Sequence, residues 1–116
     1  MEQMNKVELK GIVGISNTQT TNGRTVTRFT LATNRAYKDS RGDAQIEVTW
    51  HNICAWQGKD IPDPSQLKKG AKLHVIGRIR NTKIQNEGQP DRYYSEIQAR
   101  EIRVYDKGET MADEMN

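Results

Sequence analysis

Thr49-Trp50-His51-Asn52-Ile53-Cys54-Ala55-Trp56 is the stretch on which the fold turns. It is rich in β-branched and aromatic residues, as strands are. Side chains alternate across a strand. His51, Ile53 and Ala55 therefore share one face, and Trp50, Asn52, Cys54 and Trp56 share the other. The first set suits a barrel interior or, for His51, a subunit contact. Both indoles then point outward together. Large aromatics usually bury, so a core or interface role for the two tryptophans is the competing reading. It weakens because the opposite face already supplies core residues.

Four more β-rich segments flank this one, which as a strand runs from Ile46 to Trp56. Lys6 to Ile15 places Val7, Leu9 and Val13 in one register, interrupted by Gly11 and Gly14; glycine inside a strand often marks a bulge or bend. Ser16 to Gly23 reads as a polar turn ending in the hairpin signal Asn22-Gly23. Thr25 to Thr33 alternates Phe29 and Leu31 with Arg28, Thr30 and Ala32. Asn34 to Gln45 reads as a charged loop. Pro62 and Pro64 exclude a strand over Gln57 to Lys69. Asp63 suits an N-cap, Pro64 a first helical position, Gln66 a capping-box partner and Gly70 a left-handed stop, so a helix of one or two turns is expected. Lys72 to Ile84 sets Leu73, Val75 and Ile79 on one face, with Arg78 and Arg80 opposite. Arg92 to Tyr105 closes the series. Tyr93 and Tyr94 must face opposite sides, one toward the core and one outward.

Three strands, a short helix and two strands is the order of an OB-fold, an all-β, five-stranded Greek-key barrel that commonly binds oligonucleotides. Small SH3-like barrels give a similar pattern. The chain of 116 residues is one domain's worth. We expect the barrel over residues 1–105 and a short, flexible acidic tail over 106–116.

Charge follows the same division. The tail holds Asp106, Glu109, Asp113 and Glu114 against Lys107, so residues 1–105 keep 17 bases against 11 acids, a net of +6. A basic body suits a polyanion. Lys6, Arg24, Arg28, Arg35, Lys38, Arg41, Lys59, Lys72, Arg78, Arg80, Lys83 and Arg92 fall on strands and loops as a track, and aromatics interleave them. Cations beside exposed aromatics build a groove for single strands: phosphates meet the charges and bases stack in any sequence. Tyr37, between Arg35 and Lys38, is either a stacking platform or a packing plug.

Other classes fare poorly. His51 and Cys54 are three apart on a strand and face opposite sides, so they form no dyad. Two histidines and one cysteine lack the spacing of a zinc site. Asp39, Asp43 and Glu47 more plausibly balance Lys38 and Arg41 than bind a metal. No enzyme activity, metal or cofactor is expected. The lone Cys54 forms no intrachain disulfide, and no signal peptide or membrane run is visible, which together predict a cytoplasmic protein.

At these residues the chain resembles the bacterial single-stranded DNA-binding protein family. Four segments carry the match: Asn5 through Gly11 with Gly14, Thr30-Leu31-Ala32-Thr33, Trp50-His51 through Gly58-Lys59, and Leu67 through Gly70 with Gly77-Arg78-Ile79-Arg80. Arg92-Tyr93-Tyr94 extends it. The resemblance implies a homotetramer of OB-folds that coats single-stranded DNA in replication, recombination and repair. It implies stacking on Trp50, on Trp56 (a family phenylalanine position) and on Tyr37 (a family tryptophan position). It puts His51 at a subunit contact, and Lys6, Asn52, Lys59, Arg80 and Lys83 along the DNA path. Three departures stand out. Ile84 replaces a further stacking tryptophan. Gln57 to Gly70 is abbreviated. Met111 to Asn116 does not match the acidic, Pro-Phe-ended tip that recruits replication and repair proteins, so such partners are not expected. A dimeric, primosome-type accessory protein that binds DNA and a helicase is the alternative.

Overall fold

The computed structural model describes residues 2–105; the tail expected at 106–116 lies outside the described residues. The chain forms β1 (Val7–Thr21), β2 (Arg24–Lys38), β3 (Ala44–Trp56), a 3-10 turn (Pro64–Gln66), β4 (Lys72–Ile84) and β5 (Arg92–Val104). The strands close into a barrel in the order β1-β2-β3-β5-β4. All neighbours are antiparallel except β3 and β5, which run parallel and pair only at Ile53–Ile97 and Cys54–Gln98. The expected all-β, five-stranded barrel is therefore present. No helix among the described residues is long and apolar enough to cross a membrane.

β1 serves two neighbours. Its first half pairs with β4 from Val7 to Ile12, and its second half pairs with β2 from Ile12 to Thr21. The changeover lies at the register shift between Val13 and Ser16, around Gly14. A bulge at a barrel corner bends one strand across two partners.

The interior is filled by the alternate apolar positions of every strand: Val13, Phe29, Leu31, Ile53, Leu73, Val75, Ile97 and Ile102. Leu67 and Ile61, from the β3–β4 connection, complete the core. The connection is tied down by its backbone, since Ile102 N–H donates to the Asp60 carbonyl at 3.0 Å. The expected helix shrinks to a single 3-10 turn. Asp63 does cap it, accepting from the Ser65 N–H at 2.9 Å. The turn ends at Leu67, whose side chain is fully buried in the core. Gly70, at φ +90°, provides the left-handed stop.

Two segments read as loops are strand. β1 continues to Thr21, held by the hydroxyl pairs Thr18–Thr27 at 3.0 Å and Thr20–Thr25 at 2.9 Å, before the left-handed Asn22-Gly23 turn. β2 and β3 extend to Lys38 and Ala44, leaving only Asp39 to Asp43 as the turn. Asp39 organises that turn: its carboxylate accepts from Arg41 N–H, Asp43 N–H and the Gln45 amide. The result is a long two-stranded arm projecting past the core.

Leu31 is fully buried, and truncation there leaves a cavity in a small core. Leu31→Ala should cost about 2–5 kcal/mol, read as a lower urea midpoint with an unchanged slope. A shift under about 0.5 kcal/mol would mean the core does not sit where the burial pattern puts it.

Candidate nucleic-acid interface

The pleat sorts the predicted binding residues. Ile53 and Ile97 are both in the core, so their ladder neighbours Cys54 and Gln98 face outward. Trp50, Asn52 and Trp56 share that outer side with Arg28 and Thr30 of β2. Across β5 and β4, the pairs Gln98–Arg78, Glu96–Arg80 and Tyr94–Thr82 continue the same side. Trp50, Trp56, Asn52, Arg78 and Arg80 are thus brought to one surface. Lys38 lies on the same pleat at the tip of the β2–β3 arm, opposite Ala44. Lys59 is exposed in the β3–β4 connection.

Other predicted residues fall elsewhere. Arg35 and Tyr37 continue the face of Leu31 and Thr33, so they lie on the side of the arm away from Trp50. Lys83 is opposite Tyr93 on the reverse of the β4–β5 hairpin and is paired with Asp91 at 3.2 Å. Neither Tyr93 nor Tyr94 enters the core: Tyr93 is 68% exposed, and Tyr94 lines a groove. Their strand has already left the barrel at that point, so no core face remains for either ring.

Where β3 and β5 part, a groove opens. One portion, of about 500 Å³, is lined by Ile15, Thr30, Asn52, Ile84, Tyr94 and Glu96. The adjoining portion is lined by Trp50, His51, Asn52, Ile79, Ser95 and Glu96. Trp50 stands at its edge, 59% exposed. The apolar character continues along the same face of the arm through Val48 and Ile46. Ile84 is an apolar wall of the groove.

Trp50 is seated by a glycine. A Cβ built on Gly14 would lie 2.5 Å from the Trp50 ring and 2.8 Å from Thr30 Oγ1. The bulge thereby gives the indole a floor that any larger residue would fill. Thr30 secures the bulge by accepting from the Ile15 N–H at 2.9 Å.

The aromatic platforms differ in what covers them. The Arg24 guanidinium sits 4.7 Å from the Trp56 ring centroid, and Arg35 sits 5.6 Å from that of Tyr37. An exposed cation–π contact contributes about 0.5–1 kcal/mol. A stacked base contributes about 1–3 kcal/mol. A base stacked on either ring would therefore outweigh the guanidinium now over it.

Two outer-face residues are buried against expectation. Cys54 lies between β2 and β5, with Arg28 opposite it on β2 and Gln98 on β5. Burial pushes its thiol pKa up, and the Glu96 charge adds to the rise. Glu96 is itself buried; it meets Arg28 at 3.9 Å and accepts from Thr82 Oγ1 at 3.4 Å. Sequence marked Gly14 as a bend and Arg24 as a cation, but not the seat Gly14 gives Trp50, the contact of Arg24 with Trp56 or the burial of Glu96, because each acts through a neighbour on another strand.

His51 is half-buried beside the groove, its Nε2 2.9 Å from Thr33 Oγ1. Burial pushes its pKa below the ordinary value of about 6.5. The fold therefore favours the neutral ring, and the unfolded chain takes up the proton first as pH falls. This contribution is complete above about pH 6.5 and is lost as pH falls from there through the folded value. His51→Gln should flatten that part of the stability–pH profile; an unaltered profile would contradict the assignment. Gly14→Ala should weaken the near-ultraviolet circular dichroism of the indoles while the far-ultraviolet spectrum persists. An unchanged near-ultraviolet band would mean Trp50 needs no floor.

The model of the single-strand binding protein family matches residues 4–105. Single-stranded DNA-binding protein 1 of Chlorobaculum tepidum is 38% identical over 95 residues, covering 79% of this chain and 58% of that protein. The single-stranded DNA-binding protein of Xylella fastidiosa is 32% identical over 105 residues, covering 87% and 63%. The chain thus spans 58% to 63% of the length of these relatives. A solved structure described as a Plasmodium falciparum SSB complex with ssDNA superposes with a TM-score of 0.76 at 25% identity, covering 91% of this chain and 98% of that one. The protein from Thermus aquaticus, at 20% identity and a TM-score of 0.72 over 90% of this chain and 52% of that one, shares the fold. The outward indoles, the groove and the match over nearly the whole barrel agree, and the chain belongs to the single-strand binding protein family.

Proposed function

We propose that this chain binds single-stranded DNA without reading its sequence, as a non-catalytic coat for exposed strands in replication, recombination and repair. The observation that carries the reading is the exposed Trp50 at the edge of a groove opened by the parting of β3 and β5, with cations on the same side of the barrel. Bases stack on Trp50 and, after Arg24 moves, on Trp56. Phosphates meet Arg78, Arg80, Lys38, Lys59 and Lys6. Asn52 offers an amide inside the groove. Tyr37 and Arg35 serve a strand that has crossed the edge of the arm, since they lie on its far face. Lys83 joins only when Asp91 releases it.

The relatives named for single-stranded DNA binding, and the similar structure described as a complex with that ligand, support this reading. A homotetramer with His51 near a subunit contact is part of it, as is a cytoplasmic, nucleoid-associated setting. A dimeric assembly would favour the primosome-type accessory role, and sedimentation separates the two.

Titration with oligo-dT should quench the tryptophan emission deeply, whereas duplex DNA should not. Each phosphate neutralised should contribute about -0.7 to the log–log slope of affinity against salt. Trp50→Ala should cost about 1–3 kcal/mol of affinity, and Trp56→Ala less, because release of Arg24 offsets part of its stacking. No quenching by the single strand would end the stacking model.

A further inference from the structure

The segment before β1 is clamped to the barrel. Asn5 Nδ2 donates to the Ile79 carbonyl at 2.8 Å, and Asn5 Oδ1 accepts from the Ile79 N–H at 3.0 Å. These two bonds hold the neighbouring Lys6 beside β4. Directly alongside, the β4–β5 ladder is irregular. Ile76 is opposite Glu101 and Gly77 is opposite Ala99, so Arg100 is the extra residue of a bulge. Bulges re-aim side chains out of the regular alternation. The backbones also approach so closely here that a Cβ on Gly77 would collide with the Gln98 carbonyl. With no side chain at Gly77, a recess of about 390 Å³ remains, lined by Asn5, Lys6, Arg78, Gln98 and Arg100.

Its charge is one-sided. Among the described residues, none of Lys6, Arg78 and Arg100 is in an ion pair. Two carboxylates close by in sequence are engaged elsewhere: Glu8 with His74 at 2.7 Å, and Glu101 with Arg103 at 3.2 Å. Lys6 still lowers the Glu8 pKa, though less than the His74 hydrogen bond does. Arg78 is oriented by a neutral group. Its Nε and Nη2 both donate to Gln98 Oε1, at 3.2 and 2.9 Å, which fixes the guanidinium without cancelling its charge. Three cations and two amides around a small recess are the donor set of a phosphate site.

We propose that this recess is a phosphate-binding site that takes a phosphodiester of the DNA strand, with Arg100 as a ligand. It deepens the proposed function and rests on it. Gln98 sits beside Cys54 in the β3–β5 ladder, so the recess opens on the same outer surface as the Trp50 groove. A strand leaving that groove across β5 reaches it next. Asn5 and the bulge form the site together, which explains why a segment outside any strand is held so firmly.

The test is the salt dependence of oligo-dT binding to the full chain. Arg100→Gln should reduce the magnitude of the log–log slope by about 0.7, one phosphate contact, and leave the depth of tryptophan quenching at saturation unchanged. Arg100→Lys should restore the slope. An unchanged slope in Arg100→Gln would overturn the proposal. So would a changed assembly mass in that variant, which would make the recess an interface between copies. If the unsubstituted chain shows no quenching at all, the DNA-binding reading itself fails, which is a different result. In parallel, the side-chain Nε–Hε signals of Arg78 and Arg100 should shift on adding oligo-dT. Shifts with inorganic phosphate as well would show that the site takes phosphate from either source. Shifts with inorganic phosphate alone, or with neither, would contradict a DNA contact.

Discussion

β3 and β5 touch through two residue pairs, Ile53–Ile97 and Cys54–Gln98, and that short parallel contact closes the barrel. Both strands continue well beyond it in hairpins with other partners, β3 with β2 as far as Ala44 and β5 with β4 as far as Arg92. Two hairpins that meet at one point and then part leave a cleft between them. Ile53 and Ile97 fix the contact from inside, because both belong to the core. Their burial sets the register, and register sets which side chains face out. A slip of one residue in β3 would turn both indoles inward and Ile53 outward. The binding surface thus follows from core packing.

The outer surface is not uniformly basic. Glu96 lies buried in the groove, close to Arg28 and opposite Arg80. A buried carboxylate needs a partner, and Arg28 is available in part because its own side chain is half exposed. This arrangement covers Cys54 and holds one cation at the groove before any ligand arrives. Similar pre-engagement recurs at Arg24 over Trp56 and Arg35 over Tyr37. Among these aromatics Trp50 differs, with a glycine floor beneath it and a largely open surface. It is the platform that asks least rearrangement of an incoming base.

Much of this was legible in sequence where one face of a strand is buried. Phe29 and Leu31, Leu73 and Val75, and Ile53 and Ala55 alternate cleanly, and their strands lie where the alternation puts them. The parity of Trp50 and Trp56 was equally readable. The arms were not. Thr18 to Thr21 and Asn34 to Lys38 are wet on both faces, so they carry no alternation and resemble loops, although threonine pairs hold the first of them flat against β2. Bulges at Gly14 and Gly77 depend on the partner strand and leave no local mark beyond the glycine. Arg100 is the extra residue of the second bulge, which shows only in the register of the partner strand. The helix before Gly70 had proper caps, but the tertiary demand to bury Leu67 ended it after one turn.

Bases on the outer side of β2–β3, beginning at Trp50, are the core of the account. Photo-crosslinking with an oligo-dT carrying 5-iododeoxyuridine at single positions, followed by peptide mapping, addresses this directly. The account predicts the dominant adduct on Trp50. Adducts confined to the opposite side of the barrel, at Glu8, Lys10 or His74 themselves and with none on β3, would contradict it.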